Sequence, residues 1–142
     1  MIRIELNRLN DAFHFSAENE NGNTIHLDAS QNIGGTNQGM RPMQTLLAAM
    51  GGCSAIDIIN ILKKQRQDLK DLKITVTGER EKDVVPSLFQ SIHAHYRFFG
   101  NLDADKVEKA ISLSVEKYCS VSKTLEKAGA KLTYTYEIIA AT

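Results

Sequence analysis

Apolar side chains run almost unbroken through residues 41–67, RPMQTLLAAMGGCSAIDIINILKKQRQ, and alternate with polar ones over most of the remaining chain. Pro42 suits the first turn of a helix, where its missing N–H is no loss. Lys63, Lys64 and Arg66 gather at the far end, where positive charge complements the helix dipole. Between them Met43, Leu46, Leu47, Met50, Ile56, Ile58, Ile59, Ile61 and Leu62 leave almost no polar side, which predicts a buried helix. Its polar residues are chiefly Gln44, Ser54, Asp57 and Asn60. Gly51 and Gly52 each cost about 1 kcal/mol against Ala in a helix interior, so another backbone is expected to pass close to that turn. Cys53 follows at once.

Strand patterns surround the helix. Ile2, Ile4 and Leu6 alternate with Arg3 and Glu5, and Phe13, Phe15 and Ala17 with His14 and Ser16. Asn21-Gly22 marks a hairpin before a third strand carrying Ile25 and Leu27. Residues 29–40 are rich in Gly, Asn and Gln and predict a loop. After the helix, Leu72, Ile74 and Val76 form one strand. A long strand follows, with Leu88, Gln90, Ile92, Ala94, Tyr96 and Phe98 on a single face. Asp103 is a candidate N-cap for a second helix facing inward through Val107, Ala110, Ile111, Ser114 and Tyr118. Cys119 falls near its end, residues 121–127 form a short helix stopped by Gly129, and Leu132, Tyr134, Tyr136 and Ile138 line a closing strand. The order β-β-β-α-β-β-α-α-β predicts one α+β domain over residues 1–142, with a mainly antiparallel sheet around the central helix. Few elements are left to cover a helix apolar on all sides. A second copy of the chain is the expected cover, giving a homodimer with this helix near its two-fold axis.

Composition narrows the function. The 142 residues balance 17 basic against 17 acidic side chains, and no basic patch stands out, which argues against nucleic acid or a membrane surface as partner. The N-terminal residues carry no secretory h-region, and the central helix reads as too short and interrupted to span a bilayer. The expectation is a soluble cytoplasmic protein. Four His and two Cys without CxxC or HExxH spacing predict no metal site, and the chain has no phosphate-binding glycine loop or other cofactor signature.

In a reducing cytoplasm, Cys53 and Cys119 read either as a redox-active pair or as two small buried hydrophobes. A peroxide-reducing role needs a thiolate, and hence a cation or donor beside the sulfur. Asp57, one turn on, supplies neither, while Arg3, Arg8, Arg41, Arg80 and Arg97 are all candidates for the cation. His14, His26, His93 and His95 fall on the polar phase of strands and read as solvated sheet residues. His93 and His95 share a face but lack an evident third metal ligand. Glu116 reads as a helix-surface charge or as the partner of an arginine near the site.

The run Pro42-Met43-Gln44 through Leu46-Leu47-Ala48-Ala49 to Gly51-Gly52-Cys53-Ser54-Ala55-Ile56-Asp57 resembles the OsmC/Ohr family, the osmotically inducible and organic-hydroperoxide-resistance proteins. The run Ser114-Val115-Glu116-Lys117-Tyr118-Cys119-Ser120-Val121, with Leu125-Glu126-Lys127-Ala128 and the Tyr-rich closing strand, is similar to the same family. The resemblance spans essentially the whole chain. It implies an intertwined α+β homodimer with two sites at the subunit interface. It further implies a thiol-dependent peroxidase in which Cys53 attacks an organic hydroperoxide and becomes a sulfenic acid. Cys119 then resolves it as a disulfide, which a dithiol such as a lipoylated protein reopens. That chemistry is internally consistent, since sulfenic acids condense with neighbouring thiols and disulfides reopen by thiol exchange. The peroxidase branch carries a glutamate after the motif proline, paired with an arginine. Here Met43 stands in that place, Gln44 follows it, and Arg8 is the residue that fits the arginine position. The chain thus resembles a less characterised OsmC-like branch that keeps both cysteines. The competing expectation is a non-catalytic, dimeric binding or stress-associated protein.

Overall fold

The computed structural model describes all 142 residues, in two compact units, Met1–Leu46 and Leu47–Thr142. In the first, β1 (Glu5–Arg8), β2 (Phe15–Glu18) and β3 (Thr24–Leu27) form an antiparallel sheet in that order. The β2–β3 turn is built by Asn19, whose side chain accepts from the N–H groups of Asn21 and Asn23, with Gly22 in the left-handed region at φ 83°. The first strand is shorter than predicted: Ile2 and Ile4 precede it and are exposed, as are Leu6 on β1 and Ile25 on β3. Alternation predicted one buried face, but no residue of β1 or β3 is fully buried within the chain.

The loop 29–40 is organised by a residue that periodicity did not single out. Asp28 is buried, and its carboxylate accepts from the N–H groups of Ala29, Thr36 and Gln38 and from the Thr36 hydroxyl. Burial alone would raise its pKa, but these donors, Gln38 N–H foremost, hold it below the usual carboxylate value.

Helix α1 (Pro42–Lys64) begins at the end of the first unit and continues into the second. Gln44 Oε1 accepts from Arg41 N–H at 2.9 Å, the reciprocal half of a capping box. The second unit continues with β4 (Asp68–Arg80), β5 (Phe89–Asn101), α2 (Ala104–Leu113), α3 (Ser120–Lys127) and β6 (Lys131–Ile139). Strand β4 pairs antiparallel with β5, and β6 returns through the helices to pair parallel with β5. The sheets are therefore antiparallel except at that last pairing. The core of this unit is built by Ile92, Ala94, Tyr96 and Phe98 of β5, Val107, Ala110 and Ile111 of α2, and Met50, Ile58 and Leu62 of α1. The predicted face of β5 fails at its start, where Phe89 rather than Leu88 or Gln90 is buried. A register shift between Glu79 and Arg80 resets the alternation there. Gly78 permits this packing, because a Cβ on it would sit 2.7 Å from the Phe89 ring.

Two expectations for α1 are corrected. Gly51 faces the Val76 side chain, with room for no more than a tight Cβ contact at 3.2 Å, and Gly52 faces open space, so no second backbone crosses this turn within the chain. The single chain leaves one side of the helix uncovered, where a second copy is expected: Leu46, Ile56 and Ile59 are exposed, Ile56 at 72%. At 23 residues it is also long and apolar enough to cross a membrane by composition. The expectation that it is too short to span a bilayer is therefore wrong on length and composition. What marks it as a core helix is the full burial of Met50, Ser54, Ile58 and Leu62 against its own unit.

Candidate active site

The second unit brings its two cysteines together. Cys53 lies mid-helix in α1, half-buried, and Cys119 is buried close enough to it that Cys53 helps raise the Cys119 pKa. Both are free thiols. Cys119 owes its place to an irregular turn. After α2 the chain makes one π-helical turn, Ser114–Tyr118, closed by a 2.7 Å hydrogen bond from Cys119 N–H to Ser114 O. Cys119 then takes an extended conformation (φ −73°, ψ 103°) and becomes the N-cap of α3, its sulfur accepting from Ser122 N–H at 3.3 Å. The same turn explains why Tyr118, predicted on the inner face of the helix, is exposed.

A buried polar network fixes α1 behind the thiols. Tyr96 OH donates to Ser54 Oγ at 2.9 Å, and Ser54 Oγ donates to Gly51 O at 3.1 Å. The Ser114 hydroxyl lies 3.3 Å from Ser54 O and 3.1 Å from Asp57 Oδ2, tying the π-turn to the helix. Ser54, Tyr96 and Ser114 are fully buried and satisfied, as such groups must be. Burial raises the Tyr96 pKa, partly offset by its Ser54 bond, with a smaller upward push from Cys119. For Cys119, burial again dominates and raises the pKa. The Ser122 hydroxyl and N–H pull it back, and Cys53 adds to the rise. Beyond Asp57 an open groove of about 640 Å³ runs between α1 and α2, lined by Ile61, Lys64, Lys109, Leu113 and Tyr118 among others.

The supporting residues fare differently. Arg8, in the first unit, spends its guanidinium on its own hairpin: Nε donates to Ala12 O at 2.9 Å and Nη2 to Asp11 O. Arg3 pairs with Glu5, and Arg41 binds Gly39 O and Asn37. In the second unit Arg80 holds Ser87 O and Arg97 holds Glu137. Glu116 is exposed and accepts from the Ser112 hydroxyl at 3.1 Å, with no arginine paired to it.

One histidine departs from expectation. His14 is buried, 2.7 Å from His26 through Nε2 and Nδ1. His93 and His95 hydrogen-bond Thr133 and Thr135 across the β5–β6 pair. No group of three His, Cys, Asp or Glu side chains is placed to hold a metal. Sequence reasoning passed over Ser122 altogether. The available signal was its spacing, three residues after Cys119, which matches N-cap to N3.

Comparison with known proteins gives relatives in sequence and in fold. A family model described as OsmC-like protein matches residues 35–135. Protein YhfA of Escherichia coli K12 is 41% identical over 128 residues, covering 89% of this chain and 91% of the relative. A hypothetical protein from Aquifex aeolicus VF5 superposes with a TM-score of 0.84 at 32% identity, covering 100% of this chain and 98% of the other. An organic hydroperoxide resistance protein from Legionella pneumophila shares the fold at a TM-score of 0.72 and 14% identity, with 96% of each chain covered.

Proposed function

Because the chain belongs to the OsmC-like protein family, we propose that its Cys53–Cys119 pair is a dithiol peroxidase centre that reduces organic hydroperoxides. The observation that carries this reading is the approach of the two thiols, one half-buried on α1 and one buried at the α3 N-cap. The Cys53 thiolate attacks the outer peroxide oxygen, the O–O bond breaks, and the alkoxide leaves, taking a proton from solvent to become the alcohol. The resulting sulfenic acid condenses with the Cys119 thiol, releasing water and forming the disulfide. A dithiol reductant, of which a lipoylated protein is the example, restores both thiols by exchange. The cytoplasm, where such reductants are kept reduced, is the proposed compartment.

The working unit is proposed to be a homodimer. Ile56 and Ile59 of α1, with Ile4, Leu6 and Ile25 of the N-terminal sheet, are apolar and uncovered in the single chain. The residues that would activate Cys53 then lie outside Leu47–Thr142, and Arg8 is the proposed cation. A second reading, a dimeric binding protein without turnover, is favoured by one observation: Met43 stands where a glutamate would orient that cation. Steady-state consumption of cumene hydroperoxide with dihydrolipoamide as reductant separates the two. Turnover that the dithiol supports and glutathione does not is expected. No consumption above the Cys53→Ser background would leave the binding reading.

A further inference from the structure

The two sulfurs of the pair have unlike surroundings. Cys119 caps α3, a helix of 8 residues, and its sulfur already accepts the Ser122 N–H at 3.3 Å. Ser122 itself is fully buried, and its hydroxyl has no hydrogen-bond partner although it lies beside the Cys119 sulfur. A buried hydroxyl left unpaired is costly and calls for a reason. The resting thiol is a weak acceptor, whereas a thiolate there would take both the N–H and the hydroxyl at the positive end of a helix. The molecule therefore holds, beside the Cys119 sulfur, a buried donor with no partner in the reduced resting state.

We infer that, when the Cys53–Cys119 disulfide is reopened, the dithiol attacks Cys53 and Cys119 departs as a thiolate received by the Ser122 N–H and hydroxyl. This rests on the peroxidase reading only for how the disulfide arises in the cell. One thiolate of the dithiol forms a new S–S bond to the Cys53 sulfur. The Cys53–Cys119 bond breaks, and its electron pair leaves on the Cys119 sulfur. The second thiol of the same reductant then loses its proton to solvent and attacks its partner sulfur. That closes the reductant's own disulfide and expels the Cys53 thiolate. Two electrons pass from reductant to protein, and the Cys119 thiolate regains a proton, as its burial favours.

Access points the same way. A nucleophile must reach the sulfur it attacks in line with the S–S bond. Cys119 is only 2% exposed in its own chain, and adding a partner subunit can only bury it further. Cys53 is only half-buried in the same chain. The lower the basicity of the leaving sulfur, the faster it leaves, so donors placed at Cys119 act on this step directly.

The test starts from disulfide made with diamide, so that a protein inert to hydroperoxides still answers it; such inertness would sink the peroxidase reading alone. The oxidised full-length protein is mixed with a large excess of the monothiol 2-mercaptoethanesulfonate and quenched in iodoacetamide. Mass spectrometry is expected to find the mixed disulfide on Cys53 and the alkyl group on Cys119. The reverse labelling overturns the inference. In the companion measurement, reduction of the same disulfide by dithiothreitol is followed at neutral pH in wild type and Ser122→Ala. That variant removes an unpaired hydroxyl from the interior and should fold. Loss of a hydrogen bond to a charged sulfur should slow reduction about tenfold. A rate within twofold of wild type would remove the Ser122 hydroxyl from the mechanism.

Discussion

The middle of α1 and the turn entering α3 each present one cysteine, but only the second is built around its sulfur. At Cys119 a π-turn, a helix N-terminus, an N–H at 3.3 Å and a buried hydroxyl converge. At Cys53 the polar groups of the unit bind one another instead: Tyr96 to Ser54, Ser114 to Asp57. The difference teaches where the site is complete and where it is not. The unit supplies everything needed to receive charge on Cys119 and to hold the helix that bears Cys53. No hydrogen bond joins Cys53 to a cation of the unit, and Arg80 and Arg97 are engaged on Ser87 and Glu137. On this account the attacking cysteine is activated from outside the unit, and the departing one from within.

The largest effects should come from breaking the pair itself. Cys53→Ser should abolish hydroperoxide turnover, to the rate of the uncatalysed control. Cys119→Ser should keep one round of peroxide reaction per chain and then stop, with a sulfenic acid on Cys53 that dimedone captures and no intramolecular disulfide. Equal loss of the first round in both variants would erase the proposed division of labour.

Next in size is the test of activation from outside. Ile56 is 72% exposed in the single chain, so Ile56→Asp leaves that chain's core untouched. A charge in a dimer interface, unpaired and desolvated, costs several kcal/mol. Sedimentation should therefore show monomer at micromolar concentration, and hydroperoxide activity should fall with the dimer. An active monomer would place all of the machinery in one chain.

A smaller effect belongs to the network behind the thiols. Tyr96→Phe removes the hydroxyl that reaches Ser54 and should cost about 1 kcal/mol, lowering Tm by roughly 4 °C. Ser54 keeps its bond to Gly51 O, so the helix should hold its place. Activity lost together with stability would mean that the tether also sets the thiol geometry.

The smallest effect is a dependence on alkaline pH. Burial raises the pKa of Cys119, Tyr96 and Tyr136, and it pushes Tyr134, which donates to Glu108, up to about 12. Above the ordinary thiol value of about 8.5 the unfolded chain releases protons that the folded one still holds, so stability falls as pH rises. Urea midpoints should be level below that value and decline through pH 11. A midpoint that rises over that range would contradict the burial of these groups.

Much of this was legible in the sequence, and what was missed has physical causes. Long runs gave α1 and the order of strands, and the Asp103 cap stands where spacing put it, accepting from Asp105 and Lys106 N–H. The two cysteine motifs meet in the second unit, where Cys53 adds to the rise of the Cys119 pKa. Two features of backbone geometry were not legible. The bulge at Glu79–Arg80 shifted the buried face of β5, and the π-turn moved Tyr118 to the surface and Cys119 to a cap. Neither leaves a trace in a period of 2 or 3.6. How much of α1 its own chain covers was not legible, because an apolar helix reads the same whether its cover comes from its own chain or from a second copy. Asp28 and Ser122 were overlooked because short polar residues act through local N–H groups, which hydrophobic patterning does not register.

The most direct measurement is a count of free thiols by mass spectrometry, on fully reduced protein, before and after one equivalent of cumene hydroperoxide and, separately, of hydrogen peroxide. The account predicts rapid loss of two thiols per chain with a single Cys53–Cys119 linkage, faster with the organic peroxide. Survival of both thiols would contradict it and leave the fold as the frame of a binding protein.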